Sequence, residues 1–340
     1  MATVQKWDRH HGQDESRPKT LHRRMDGRCW GKNLIWRHGA HQSNQTAGRR
    51  FLPRSGGTFK SMSATLGPPG KAVEIGPGVR RLLAPNAGMM TGPGTNTYLL
   101  GTTDVAIIDP GPDDAAHHRA ITAAIAGRLR WILVTHTHRD HSPLAAPLAA
   151  ATGAMLIGLP PPADGRQDDG FRADHRPRDG ERLALGDMLL TAIHTPGHAS
   201  NCVCYLQETG RMLFTGDHVL EGVSPVILPP DGDMTAYLDS LAKLEAHDFE
   251  HIAPGHGGLL ASGRRMVQLL LAHRLARERK VLARLEAAGP VSLDALTPAV
   301  YDDVPPDRHV WARLTLEAHL IKLERDGRVV QHMGSWHLLA

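Results

Sequence analysis

Between about residue 72 and residue 260, apolar positions come in short runs divided by polar turns and by stretches of helical spacing. N-T-Y-L-L (96–100) and D-V-A-I-I-D (104–109) read as paired strands joined by a glycine-containing turn. Ala115 to Ile125 reads as a helix, opened by Asp113 and Asp114 as capping carboxylates. W-I-L-V-T (131–135) reads as a buried strand, and further strands are predicted at 154–158, 189–193, 202–206 and 211–215. Helices are predicted at 142–150 and 235–244, and residues 159–181, rich in Pro, Gly, Asp and Arg, read as a long surface loop. Mixed strands with helices outside them predict a layered α/β fold.

The pattern changes after Gly263. Arg264 to Ala287 reads as one long amphipathic helix ended by Gly289-Pro290, and Ser292 caps a second, short helix. A third helix at 309–325 is followed by a compact hairpin signal. Three helices and a hairpin are the order of a winged helix. The reading therefore divides the chain into an N-terminal extension (1–61), a catalytic body (71–262) and a small C-terminal domain (263–340).

Against this frame the densest chemistry is T-H-T-H-R-D-H (135–141), three histidines and an aspartate directly after a predicted strand. His136 and His138 alternate on that strand exit, so both imidazoles can reach one cation. Asp140 and His141 follow where the chain turns into a helix, which aims them past the first ion toward a second. Three more donors stand at glycine-flanked strand ends: His198 in H-T-P-G-H, Asp217 in L-F-T-G-D-H and His256 in I-A-P-G-H-G. One inventory fits: His136, His138 and His198 for one metal, Asp140, His141 and His256 for the other, Asp217 bridging. Imidazoles with carboxylates favour two zinc ions, with iron or manganese as alternatives. His194 and His218 read equally as partners behind the ligands or as ordinary packing. Arg139 reads as solvated, and Asn201 either orients a ligand or turns the chain.

In this order, T-H-T-H-R-D-H, H-T-P-G-H, T-G-D-H and P-G-H-G resemble the metallo-β-lactamase superfamily. The resemblance implies an αββα sandwich with a dinuclear site at one edge of its two sheets. G-P-G-T-N-T-Y-L-L-G (92–101), P-P-D-G-D-M-T-A-Y-L (229–238), H-R-L-A-R-E-R (273–279) and the winged-helix end resemble the lactamase-β-like-2 group, which includes endoribonucleases. It implies a hydrolase that activates a bridging water or hydroxide, with Asp140 also orienting that nucleophile. Aspartate at 217, where true β-lactamases of the superfamily usually carry cysteine or serine, points to thioesterase or phosphodiesterase relatives. His138 points away from the flavo-di-iron branch.

Composition adjusts this picture in three places. Of 39 Lys/Arg and 35 Asp/Glu, residues 1–60 hold 13 and 4, leaving 26 and 31 for the rest. The basicity thus belongs to the extension, which reads as a disordered tail, an over-long start ahead of Met62, or a transit peptide. Three cysteines (Cys29, Cys202, Cys204) make no disulfide framework, and the latter two read as same-face core residues in a reducing, cytoplasmic setting. No apolar run is long enough to cross a membrane. The C-terminal domain carries 12 Lys/Arg against 9 Asp/Glu. Its winged-helix order leans the substrate expectation toward single-stranded RNA. A small thioester or ester of the glyoxalase II type is the alternative, and a non-catalytic nucleic-acid-binding or scaffold protein the third. Arg308, Arg313, Lys322, Arg325 and Arg328 read equally as phosphate contacts or as a solvated face; a buttress for the active-site rim or a homodimer contact would use the same domain differently.

Overall fold

The computed structural model describes residues 67–339. The extension 1–61, with Cys29 and the alternative start at Met62, lies outside the described residues. Two sheets stack face to face. The first holds β1 (Val73–Gly76), β2 (Val79–Leu83), β3 (Asn96–Leu100), β4 (Val105–Ile108), β5 (Leu129–Leu133) and β6 (Met155–Ile157) in that spatial order. The second holds β7 (Arg182–Leu185), β8 (Met188–His194), β9 (Val203–Gln207), β10 (Met212–Gly216) and β11 (His251–Pro254), again in sequence order.

Strand alternation explains why both sheets are apolar on both faces. Tyr98, Leu100, Ala106 and Ile108 turn inward to a core shared with Tyr205, Met212 and Phe214. Leu99, Val105 and Ile107 turn outward to α1 (Ala115–Ile125) and α2 (Ala145–Thr152), where Ile121, Ile125 and Leu148 cover them. On the far side Cys204, Leu206 and Leu213 meet α3 (Met234–Leu244) and the start of α4 (Gly263–Ala288). The result is the four-layered αββα order that the family resemblance implied.

Several local readings change. Asp114 alone caps α1, accepting from the His117 amide at 2.7 Å. The second helix begins at Ala145, not Ser142, because the Ser142 hydroxyl donates to Asp168 at 2.9 Å. The segment 159–181 is a loop but not merely a surface one, since Gln167 and Phe171 are buried. Strands β1, β2 and β7 went unpredicted; V-R-R-L-L (79–83) and R-L-A-L (182–185) carry arginines that disguise their alternation.

The C-terminal segment forms α5 (Leu293–Val300), α6 (His309–Arg325) and a small sheet of β12 (Val291–Ser292), β13 (Val329–His332) and β14 (Ser335–Leu338). Ser292 accepts from the Ala295 amide as the predicted cap. Leu316, Leu320 and Leu323 of α6 pack with Val281, Leu285, Leu296 and Trp336, each buried leucine stabilising by about 1.5–3 kcal/mol. Helix α4 serves two cores: Val267 and Leu270 pack on the sandwich, Val281 and Leu285 in the C-terminal module. Ala318 of α6 also reaches the sandwich core.

Candidate metal centre

The site grows from the C-terminal ends of β4, β5, β8, β10 and β11, where a chain leaving a sheet can turn its side chains into one crevice. Beyond β5, Asn201 ties this exit down, donating to Thr137 Oγ1 at 2.6 Å and to the Pro160 carbonyl at 3.2 Å. Thr137 Oγ1 in turn donates to Gln167 Oε1 at 2.8 Å. Thus Asn201 orients the segment between His136 and His138. Beyond β11, Asn96 donates from Nδ2 to the carbonyls of Pro254 and Gly257, both at 2.9 Å, which fixes the loop carrying His256. Gly255 lies so close that a Cβ there would stand 2.5 Å from Asp217 Oδ1 and 2.7 Å from the His141 ring. Gly197, at φ +143°, lets the chain before His198 pass against the Tyr237 backbone, 2.4 Å from where a Cβ would be.

All seven side chains singled out from the sequence converge. His136, His138 and His198 bring one nitrogen each to within 4.8 Å of one another, and the same limit holds for Asp140, His141 and His256. His136, His141 and Asp217 form a third such set, joining the other two. Asp217 turns Oδ1 to His141 and His256, both at 3.4 Å, and Oδ2 to His198 at 3.7 Å.

Hydrogen bonds behind the rings decide which nitrogen faces inward. His198 Nδ1 donates to the Val226 carbonyl at 2.8 Å, and His256 Nδ1 to the Gly94 carbonyl at 3.1 Å. His141 Nδ1 donates to Asp109 Oδ2 at 2.9 Å. Each Nε2 therefore keeps a lone pair for the crevice. His138 is reversed, its Nδ1 lying 3.1 Å from His198 Nε2.

The donor set fits divalent cations. His136 Nε2, His141 Nε2, His256 Nε2 and Asp217 Oδ1 are buried yet make no hydrogen bond, although His256 Nε2 stands only 3.1 Å from Asp140 Oδ2. Lone pairs aimed at one another at that range repel unless a proton or a cation lies among them. The electrostatics agree. Burial depresses His138 to about 3 and His136 well below the imidazole range, so those two rings stay neutral. Burial would lower His141 and His256 too, but carboxylates reverse it: Asp140, Asp217 and Asp109 raise His141 well above its usual range, and Asp217 with Asp140 pushes His256 up to about 10. Burial would raise Asp140 and Asp217, yet His141 and His256 hold both well below the carboxylate range. The carboxylate side attracts positive charge, and a metal ion competes there with protons.

Sequence reading missed Asp109. Its carboxylate takes the Thr135 amide and hydroxyl, both at 2.7 Å, as well as His141, from a backbone held at φ +52°. A carboxylate ending the apolar run V-A-I-I just before P-G was the available signal. Other candidates take lesser places. His194 bonds the Pro177 carbonyl at 2.8 Å, outside the cluster. His218 is buried against Tyr237 and depressed to about 3, by burial first and His198 second. Arg139 donates to the Gln167 carbonyl at 3.1 Å. Cys202 and Cys204 are buried thiols.

Residues 90–256 match the metallo-beta-lactamase superfamily, and residues 292–336 the beta-lactamase associated winged helix domain. The beta-lactamase-like protein 2 homolog of Caenorhabditis elegans is 30% identical, over 74% of this chain and 85% of its own. The atrochrysone carboxyl ACP thioesterase dmxR1 of a Cryptosporiopsis species is 30% identical, over 66% of this chain and 67% of its own. A metallo-beta-lactamase family protein of Thermus thermophilus shares the fold with a TM-score of 0.66 at 23% identity, covering 78% of this chain and all of that one. With seven donors converging at one edge of a two-sheet sandwich, the chain belongs to the metallo-β-lactamase superfamily, as a hydrolase of that fold with a C-terminal winged-helix domain.

Proposed function

We propose that the chain is a dinuclear zinc hydrolase of thioesters. His136 and His198 through Nε2 and His138 through Nδ1 would hold one ion, Asp140, His141 and His256 the other, with Asp217 between them. Two such ions supply a water acidic enough to attack near neutral pH and positive charge for the oxyanion that develops. Asp140, the more exposed carboxylate at 28% against 12% for Asp217, accepts a hydrogen bond from the attacking water and orients it. Asp109 keeps His141 in the tautomer that turns Nε2 inward.

One observation shifts the substrate from RNA to thioester. Helix α6, which a nucleic-acid reader would lay in a groove, is packed into the protein along most of its length. Of the five cations read as phosphate contacts or as a solvated face, Arg313 is paired with Asp294, Lys322 with Glu278 and Asp326, and Arg325 with Asp233; Arg308 and Arg328 are exposed. A thioesterase among the relatives supports the same direction.

The test is to assay zinc-loaded protein side by side on an acyl-CoA thioester, S-lactoylglutathione, single-stranded RNA and nitrocefin. Thiol release from a thioester, absent in His138→Ala, is expected. RNA cleavage that falls steeply with salt, with thioesters untouched, overturns the proposal, because such salt dependence reports phosphate contacts.

A further inference from the structure

We infer that the C-terminal module is a positioning scaffold for His198, acting through the segment Ser224–Asp233, with Arg274 as its principal residue. The inference rests on His198 being a metal ligand and is independent of the substrate.

The Val226 carbonyl that receives His198 Nδ1 sits in the middle of S-P-V-I (224–227), and the C-terminal helices hold this stretch on both sides of it. Ser224 Oγ lies 3.1 Å from His273 Nδ1 of α4. Arg274, also on α4, donates to the Pro225 carbonyl. The Ile227 amide reaches Thr315 Oγ1 of α6 at 3.5 Å, and the Ile227 side chain is buried in the same core cluster as Ala318 of α6. Farther along, Arg325 of α6 is paired with Asp233, whose amide donates to the Gly197 carbonyl at 2.9 Å, one residue before His198. The Ser200 amide, just past His198, is taken by Asp231 at 2.9 Å. The ligand loop is thus grasped from behind and from both flanks by one segment, itself anchored to α4 and α6.

Two features argue that polar anchoring, rather than packing alone, sets this segment. A cavity of about 410 Å³ lies against it, lined by Pro229, Pro230 and Asp233 on one side and Ile321, Lys322 and Arg325 on the other. Arg274 is only 3% exposed, and among the described residues no carboxylate pairs with it; its guanidinium lies over the Tyr237 ring, 5.2 Å from the centroid. A buried cation with only a carbonyl and a ring as partners costs more to bury than a hydrophobic side chain of similar size, so packing alone does not account for it. Here it fixes a peptide plane adjacent to the acceptor of a ligand hydrogen bond, and partners behind metal ligands commonly tune affinity 10–100-fold.

The experiment compares wild type, Arg274→Met, Arg274→Lys and His198→Ala in the full chain. Zinc affinity is read by chelator competition, and the His198 ring by nitrogen-15 NMR of the metal-stripped protein. Thermal melts and circular dichroism identify the folded variants. The wild-type ring is expected as the Nδ1–H tautomer. Arg274→Met is expected to broaden or shift that signal and weaken one of two zinc ions by about tenfold or more, with Arg274→Lys recovering part of it. If Arg274→Met fails to fold, Thr315→Val and His273→Gln carry the same test, each expected to weaken the same ion. Loss of an ion in His198→Ala, with folded anchor variants keeping wild-type affinity and ring signal, overturns the scaffold role. Unchanged metal content in His198→Ala overturns the ligand assignment itself.

Discussion

Titratable side chains crowd into two buried places in this molecule, and the protein treats them in opposite ways. At the sandwich edge, His136, His141, His256 and Asp217 leave buried donor atoms without hydrogen bonds, aimed at one another. In the C-terminal module, the buried Arg277 is forked onto Asp303 at 2.6 and 2.8 Å, and Lys322 has Glu278 as its carboxylate partner. Convergent unsatisfied donors hold a place for something charged, whereas paired charges are already neutralised. His319 tests the distinction, because both its ring nitrogens are also buried without partners. It belongs to no cluster of metal-binding donors among the described residues; Arg274, Arg277, Lys322 and His273 surround it, a cation there would be repelled, and burial keeps it neutral. An orphaned nitrogen marks a metal site only where other donors share its focus.

The largest expected effect lies on the metal side. His138→Ala is expected to lose one of two bound ions and to lower kcat/KM by more than about 100-fold, beyond the range for groups behind the ligands; elemental analysis and steady-state kinetics check this. Wild-type metal content in the variant would erase the contrast between the two regions. Asp109→Asn keeps the shape behind His141 but removes the charge, and about 10–100-fold weaker metal binding is expected by chelator competition.

On the module side the effects turn from function to stability. The His319 pKa in the fold lies well below the ordinary imidazole value, through burial first and then Arg274 and Arg277. The unfolded chain therefore takes up that proton first. Stability from this ring is complete above about pH 6.5 and falls as pH drops below it, by up to about 1.4 kcal/mol per pH unit. Urea denaturation of His319→Leu between pH 7 and 5 is expected to show a shallower slope than wild type; equal slopes would mean that the ring is charged in the fold. The smallest change is expected from Arg313→Ala, which removes an exposed pair with Asp294: at most about 1 kcal/mol in a thermal melt, with metal content unaltered.

Much of this is legible in the sequence. Helices α1 and α6 fall on the predicted spans, α1 because its apolar spacing and its Asp114 cap agree, α6 without any side-chain cap. The seven donors were legible because each follows a strand and is flanked by turn residues. Asp109 was not, since one carboxylate after an apolar run looks like any strand end until His141, 32 positions later, is found against it. Gln167 was hidden likewise: in a polar loop nothing local distinguishes the side chain that will be buried under Thr137. Arg274 sits among several arginines of α4, and helical spacing alone cannot tell which one will meet the Pro225 carbonyl.

The sequence by itself determined a layered α/β fold, the strand-end placement of the seven candidate side chains and the order of the C-terminal elements, because these depend on periodicity and on turn chemistry within a few residues. The two-sheet sandwich was implied by the family resemblance. Only the tertiary structure decided the inward-facing nitrogen of each ring, the partner of each cation, and the burial of α6 against the rest of the molecule. Those outcomes depend on groups far apart along the chain, whose approach is set by the packing of two cores on one shared helix.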